Sequence, residues 1–475
     1  MLTSNSLEAT APLRRFDPKN LHRVYPRVLV GLFLVLWTMA VVAAQASGRV
    51  PTDRAVILLL APVVGVSAAF RPAWLVLLFA AVPPALVAHV PSLGLVLVLM
   101  VALGAHLVIR GRLSLGVSSG MVPVLVLVLV AHLFTAEVTG EAALVARGFL
   151  NLFTYLVLLG LLTYNTTATG DLDVRHLANA LLLGSAVTLI LERTGLAVSQ
   201  LADQAGNTAI TSVGRNAAYV AVMGFGLAFA RLLLPDPDMP SHHRVFYAVL
   251  AALFAVVTGL ELVRAALLSG LVVVLLVAIW AQKRRYWGVI ALAAVMLVTI
   301  PVARERIVPD YRAGVAQSIT STRFTSGRWG LWTILWKEAA AALPAGHGYG
   351  FTFTLSPERV FGFETFVNEG SKDAFVYPHN DYLFWALELG LLGFAALAMF
   401  WVHLIRTFRR LSREGPYRAR HGAYVLSGIL VTTFIVQLVD NSFAIRAVGA
   451  PFFIAAGAVF GLATSVRNVR ARHAA

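Results

Sequence analysis

Long apolar runs parted by short polar breaks fill most of this chain. Each run holds about 16 to 22 residues, the length a helix needs to cross a hydrocarbon core about 30 Å thick. They fall near residues 27–46, 55–70, 73–90, 92–109, 119–135, 148–164, 177–194, 216–234, 245–262, 265–281 and 287–303. Three more follow near 381–405, 421–439 and 448–465. A soluble core cannot hide that many, so the pattern predicts an all-α, polytopic integral membrane protein of about 12 (12–14) transmembrane helices. The pairs 55–70/73–90 and 245–262/265–281 are short, and each is a candidate for broken or tilted helices.

The polar breaks carry the orientation. Arg71, then Arg110 and Arg112, then Lys283, Arg284 and Arg285, then Arg406, Arg409, Arg410, Arg413, Arg418 and Arg420 occupy alternate loops. Arg14, Arg15, Lys19, Arg23 and Arg27 precede the first run, and Arg467, Arg470 and Arg472 follow the last. Short basic loops face the cytoplasm, and an even number of spans then puts both tails there. The loop from Arg231 to Arg244 is mixed, with Asp236 and Asp238 beside His242 and His243. This arrangement accounts for the formal net charge of +15 without nucleic acid. Ala44-Gln45-Ala46 after the first run looks like a signal-peptide cleavage site. The run exceeds the usual signal core of about 7–15 residues, so an uncleaved first helix is expected.

One break is different. Residues 304–379 are long, mixed in polarity and fall on the external side, dividing the chain into N-terminal spans (1–303), a large external loop with helices (304–379) and C-terminal spans (380–475). Within the loop, Arg328 to Leu343 reads as a helix stopped by Pro344 and a glycine-rich turn. Trp329, Trp332 and Trp336 share one helical face, either an interfacial belt or a hold on lipid or sugar.

The candidate chemistry collects on the same external side. Arg215 opens one span, Arg264 lies between two short ones, Arg328 opens the loop helix, and Asp440 and Arg446 occupy the last external turn. Each has a plainer reading. Arg215 suits a flanking, snorkelling cation, Arg264 can pair with Glu261, and Asp440 can cap a turn or pair with Arg446. Charge at membrane depth is nonetheless costly and generally faces a bundle interior or a wet cavity. His379 follows Pro378 and precedes a helix predicted to start at about Asn380. A helix N-terminus favours anions, and an imidazole there beside arginines suits a proton acceptor next to an anionic substrate. Ala386, Gly390 and Gly393 would form a small-residue face for helix packing, with Glu388 an inward-facing, paired acid. Cysteine is absent, which removes disulfides and thiolate metal sites. No phosphate-cradling Walker A sequence and no zinc-binding HExxH occur, and no aspartate cluster suits a divalent metal. A nucleotide-using enzyme is therefore unsupported, and neither metal nor cofactor is expected.

His379-Asn380, nine residues, Gly390, two residues and Gly393 match H-[NSQ]-x9-G-x2-[GTY]. Ser326-Gly327-Arg328 with Leu331-Trp332, then Pro344 and Gly346-His347-Gly348-Tyr349-Gly350, give a second pattern upstream. Both resemble the O-antigen ligase and polymerase family, with motif support from about Arg215 to the end of the chain. The resemblance implies a metal-independent, C-type glycosyltransferase in the bacterial inner membrane. Such enzymes take glycan from undecaprenyl diphosphate at the periplasmic face and, in ligases, pass it to lipid A–core. It implies His379 as the base and Arg215 and Arg264 as the diphosphate ligands, with Arg328, Asn380 and Asp440 in support. Family members have about twelve spans, so one short pair here is expected not to be true spans.

The motif does not separate ligase from O-antigen polymerase or protein O-oligosaccharyltransferase. A compact chain with one dominant external loop favours ligase. The third is ranked lower because those enzymes commonly carry a soluble region after the last span, where about ten residues follow here. From another class, a transporter of an anionic lipid could line its path with arginines. No internal repeat is visible, and the distinctive residues gather at one face.

Overall fold

Apolar periodicity turns into helix throughout the computed structural model, which describes residues 39, 64, 65, 67, 71–82, 92–110, 121–135, 139–193, 212–234, 240–261, 263–281, 328–355, 378–440 and 446–474. In chain order the helices are α1 (Pro72–Ala81), α2 (Ser92–Arg110), α3 (Met121–Leu133), α4 (Gly140–Ala168), α5 (Val174–Arg193), α6 (Ser212–Leu233), α7 (Ser241–Glu261), α8 (Arg264–Ala281), α9 (Arg328–Ala341), α10 (Asp381–Glu414), α11 (Tyr417–Val439) and α12 (Arg446–Ala474). A short 3₁₀ turn at Phe351–Thr354 follows α9. No strand forms among the described residues beyond one isolated bridge between Thr135 and Tyr349. The chain divides into two units, Met1–Ser67 and Ala68–Ala475, and all these helices belong to the second. The expected spans near 27–46, 55–70 and 287–303 lie outside the described residues, apart from residues 39, 64, 65 and 67. So do the loop segments 304–327 and 356–377.

Among the described residues, five helical stretches are long and apolar enough to cross a membrane: Ala142–Ala168, Ser241–Glu261, Asp381–Glu414, Tyr417–Val439 and Val448–Ala471. Five apolar stretches are shorter: Pro72–Ala81, Gly94–Arg110, Val174–Ile190, Ala217–Leu233 and Arg264–Trp280. The short run near 73–90, a candidate for a broken helix, does not continue as one helix. It stops at Ala81, with Val82 extended at φ −78°, ψ 127°. Val82 precedes Pro83, whose ring disfavours helical geometry in the residue before it.

Two glycines bring the central helices together. A Cβ built on Gly226 of α6 would stand 2.8 Å from the Gly428 Cα of α11, so the two backbones cross in direct contact. Gly226 also meets Val273, and Gly270 meets Val222. The partner on α8 moves toward the C-terminus as the residue on α6 does, so α6 and α8 run parallel. The α6–α11 contacts run in the opposite sense, Gly226 on Gly428 and Tyr219 on Asp440, which makes that pair antiparallel. The start of α6, the start of α8 and the end of α11 therefore meet at one end of the bundle.

The largest departure from the sequence reading is α10. Gly390 sits at φ 60°, ψ −143°, outside helical space, and splits α10 into arms 381–389 and 391–414. A Cβ on Gly393 would stand 2.6 Å from the Trp385 carbonyl oxygen, and the rings of Tyr382 and Phe394 lie 6.3 Å apart. Residues eight and twelve apart on an unbroken helix are separated by about 12 and 18 Å. The arms consequently fold back on each other. The second arm alone, at about 36 Å, is long enough to cross a bilayer. The first is a separate helix that carries His379 at its mouth.

Candidate functional site

The first arm of α10 is anchored at both ends. At its start, Asn380 takes the N-cap position, its Oδ1 accepting from the Leu383 amide at 2.9 Å. The Asn380 Nδ2 donates to the Leu438 carbonyl, also at 2.9 Å, tying the cap to the last turn of α11. One residue upstream, the Pro378 carbonyl accepts from Trp332 Nε1 at 2.7 Å. His379 lies between these anchors at φ 49°, a left-handed conformation that a non-glycine residue keeps only where its neighbours fix it. The helix thus begins at Asp381, one residue after the predicted start. Along its length the arm packs Leu383, Ala386 and Leu387 against Leu331, Leu335 and Ala339, the i, i+4, i+8 stripe of α9.

At the far end, the turn after α9 inserts into the break. The Leu391 amide donates to the Pro344 carbonyl, His347 N to the Leu387 carbonyl and Gly348 N to the Glu388 carbonyl, each at 2.9 Å. This contact explains the first motif glycine. Any Cβ at Gly390 would stand 2.2 Å from the Pro344 oxygen and 2.5 Å from the Gly346 nitrogen. Gly390 and Gly393 therefore do not form the small-residue packing face expected with Ala386. They allow the chain to reverse and the turn to enter. Glu388 faces inward as expected, with a fully buried side chain. Its carboxylate accepts from the amides of Gly350 and of Thr352 (2.8 Å) and from the Thr352 hydroxyl. Its described partners come from the loop, where buried N–H groups would otherwise need acceptors.

Asp440 gathers the site. Its Oδ1 accepts from His379 Nδ1 at 3.0 Å. Its Oδ2 accepts from the Tyr219 hydroxyl at 3.1 Å and lies 3.8 Å from Arg328 Nη2. Arg328 also donates through Nη1 to the Val439 carbonyl. Asp440 has 5% of its side chain exposed, Arg328 18% and His379 35%. The carboxylate is thus sealed beneath the imidazole, and the imidazole remains reachable. An ionised carboxylate only accepts hydrogen bonds, so this geometry assigns the proton to Nδ1 and leaves the Nε2 lone pair free. This is the carboxylate–imidazole arrangement of a base held in one tautomer.

The sequence candidates divide accordingly. His379, Asn380, Arg328 and Asp440 come together. Asp440 is held by three side chains from three other elements, which goes beyond capping a turn, while the Arg446 side chain lies outside the described residues. Arg215 stands in the first turn of α6, four residues before Tyr219 and so on the same helical face; its side chain also lies outside the described residues. Arg264 opens α8 and is half-buried. It lies six residues before Gly270, which contacts Val222, and six residues before Val222 is Asn216. Both arginines therefore sit at the level of Asp440. Trp329 and Trp336 are exposed, as a belt requires, whereas Trp332 turns inward to hold Pro378. Tyr219 was missed, because a tyrosine inside an apolar run carries no signal of its own.

Helical, with stretches long and apolar enough to cross a membrane, and with a carboxylate-backed histidine at one end of its bundle, the chain has the makings of a membrane-embedded enzyme. Residues 246–398 match the family model described as O-antigen ligase, which supports assignment to that family through this segment. That assignment supports a function of the O-antigen ligase or polymerase type, a glycosyltransferase-like activity with a lipid-linked glycan and a lipid acceptor. The match covers about a third of the chain and is narrower than the motif reading. It contains Arg264, Arg328, His379, Asn380, Gly390 and Gly393, while Arg215, Tyr219 and Asp440 lie beyond it. No curated protein matches the chain.

Proposed function

We propose that the protein is an O-antigen ligase that moves glycan from undecaprenyl diphosphate to lipid A–core at the periplasmic face of the bacterial inner membrane. The observation that carries this reading is the His379–Asp440 pair, at the level of Arg215 and Arg264. The acceptor hydroxyl gives its proton to His379 Nε2 as its oxygen attacks the anomeric carbon. The bond from that carbon to the diphosphate breaks, and undecaprenyl diphosphate leaves with the electron pair. Attack and departure occur on opposite faces, so the anomeric configuration inverts. Asp440 stabilises the imidazolium that forms, as a carboxylate does for a histidine base. Charge grows on the leaving diphosphate, and preset cations at such charge generally supply the largest catalytic contribution. Arg215 and Arg264 serve there because guanidinium binds phosphate oxygens in pairs and never loses its charge. Arg328, in contact with Val439 and Asp440, supports the base rather than the phosphate. The energy is stored in the donor, so neither ATP nor metal takes part.

The test is transfer by purified protein given undecaprenyl diphosphate-linked glycan, with and without lipid A–core, the products being separated by size. Glycan on lipid A–core is the expected result. Donor chains that lengthen without acceptor would make the protein a polymerase. No transfer in either case would overturn the reading in favour of a protein acceptor or lipid transport.

A further inference from the structure

Tyr219 has no part in the transfer just described, yet it touches the group that holds the base. It lies 160 residues before His379 in the chain, on α6, with 1% of its surface exposed. Its hydroxyl donates to the Asp440 oxygen that His379 does not use. A carboxylate turns about a broad, two-fold torsion, so its backbone alone does not fix the plane in which its two oxygens lie. Tyr219 and Arg328 both approach Oδ2, and Arg328 is itself fastened to the Val439 carbonyl. With Oδ2 engaged from that side, Oδ1 is left pointing at Nδ1.

The imidazole is equally constrained from its backbone. Pro378 is tied to Trp332, and Asn380 to Leu438 and Leu383. Ring and carboxylate are therefore each held, and the Tyr219 hydroxyl is a contact that joins this arrangement to α6. The same face of α6 carries Arg215 one turn further on.

We propose that Tyr219 is a positioning residue for His379: through Asp440 it holds the imidazole as the Nδ1–H tautomer with Nε2 as the proton acceptor. The proposal deepens the ligase reading and rests on His379 being its base. Tyr219→Phe removes the hydroxyl and keeps the buried ring. Full-length protein labelled with 15N-histidine reports the tautomer directly, with His379 identified by its loss in His379→Gln. Wild-type His379 is expected to hold the Nδ1–H form. Tyr219→Phe is expected to gain a population of the Nε2–H form, and Asp440→Asn, which loses the accepting carboxylate, to gain more. In the transfer assay Tyr219→Phe should lower kcat about tenfold with the acceptor KM unchanged, the scale on which groups that orient a working histidine act. A tautomer unmoved by Tyr219→Phe, or a kcat within about twofold of wild type, overturns the proposal. The nitrogen spectrum needs no substrate. A wild-type protein that transfers nothing would refute the ligase reading and leave the tautomer result to judge Tyr219 separately.

Discussion

Gly390→Ala places a methyl group where the chain reverses, and its cost can be worked from the geometry. The residue sits at φ 60°, ψ −143°, close to a region that is nearly glycine-only, and holding alanine there costs about 1–3 kcal/mol. The new Cβ would stand 2.2 Å from the Pro344 oxygen, 2.5 Å from the Gly346 nitrogen and 2.6 Å from the Ala345 carbonyl carbon. All three are backbone atoms of a closed turn, with no flexible side chain to move aside. The turn must withdraw, which lengthens the bonds from Leu391, His347 and Gly348, each worth about 1 kcal/mol net. The total is about 4–6 kcal/mol. Gly330→Ala is the control, since nothing lies within 4 Å of a Cβ there and alanine favours a helix by about 1 kcal/mol over glycine. Thermal melts of the purified proteins in one detergent should rank Gly390→Ala far below wild type and Gly330→Ala at or above it. A Gly390→Ala protein that melts with wild type would refute the reversal and the inserted turn.

Three further outcomes follow from the loop contacts and from the proposed transfer. Glu388→Gln puts an amide beside the Gly350 and Thr352 N–H groups, leaving donors face to face at about 1–3 kcal/mol; a melt at least as high as wild type would mean the loop is held otherwise. Arg264→Lys should lower transfer about tenfold or more, because an ammonium cannot pair two phosphate oxygens; unchanged donor affinity and turnover would favour the plain pairing with Glu261. Stripping divalent metals with EDTA should leave turnover as it was, and loss of activity restored by one metal would require a different treatment of the diphosphate.

Much of this was legible in residue order, and the failures have physical causes. The loop helix predicted over Arg328–Leu343 forms over Arg328–Ala341 because its stop is local chemistry, a proline and glycines. Asn380 and the motif glycines were found by spacing. The reversal in α10 was not, since residues 381–405 are evenly apolar and a single glycine φ leaves no trace in hydropathy. The short run at 73–90 was legible as a candidate broken helix, and α1 ends at Ala81, just before Val82 and Pro83. Asp440 is legible only as a supporting group in the last external turn, because its partners come from α6, α9 and the start of α10, and contacts over such separations have no local signature. Tyr219 is the extreme case. Its importance exists only once α6 and α11 cross at Gly226 and Gly428.

The claim at the centre of this account is that His379, backed by Asp440, takes the acceptor's proton. The most direct test is the transfer rate of His379→Ala beside wild type, at matched amounts of folded protein and with donor binding measured separately. The account predicts normal insertion, retained donor binding and transfer reduced about 10²- to 10⁴-fold, the range a general base contributes. Near-full transfer by the variant would contradict it.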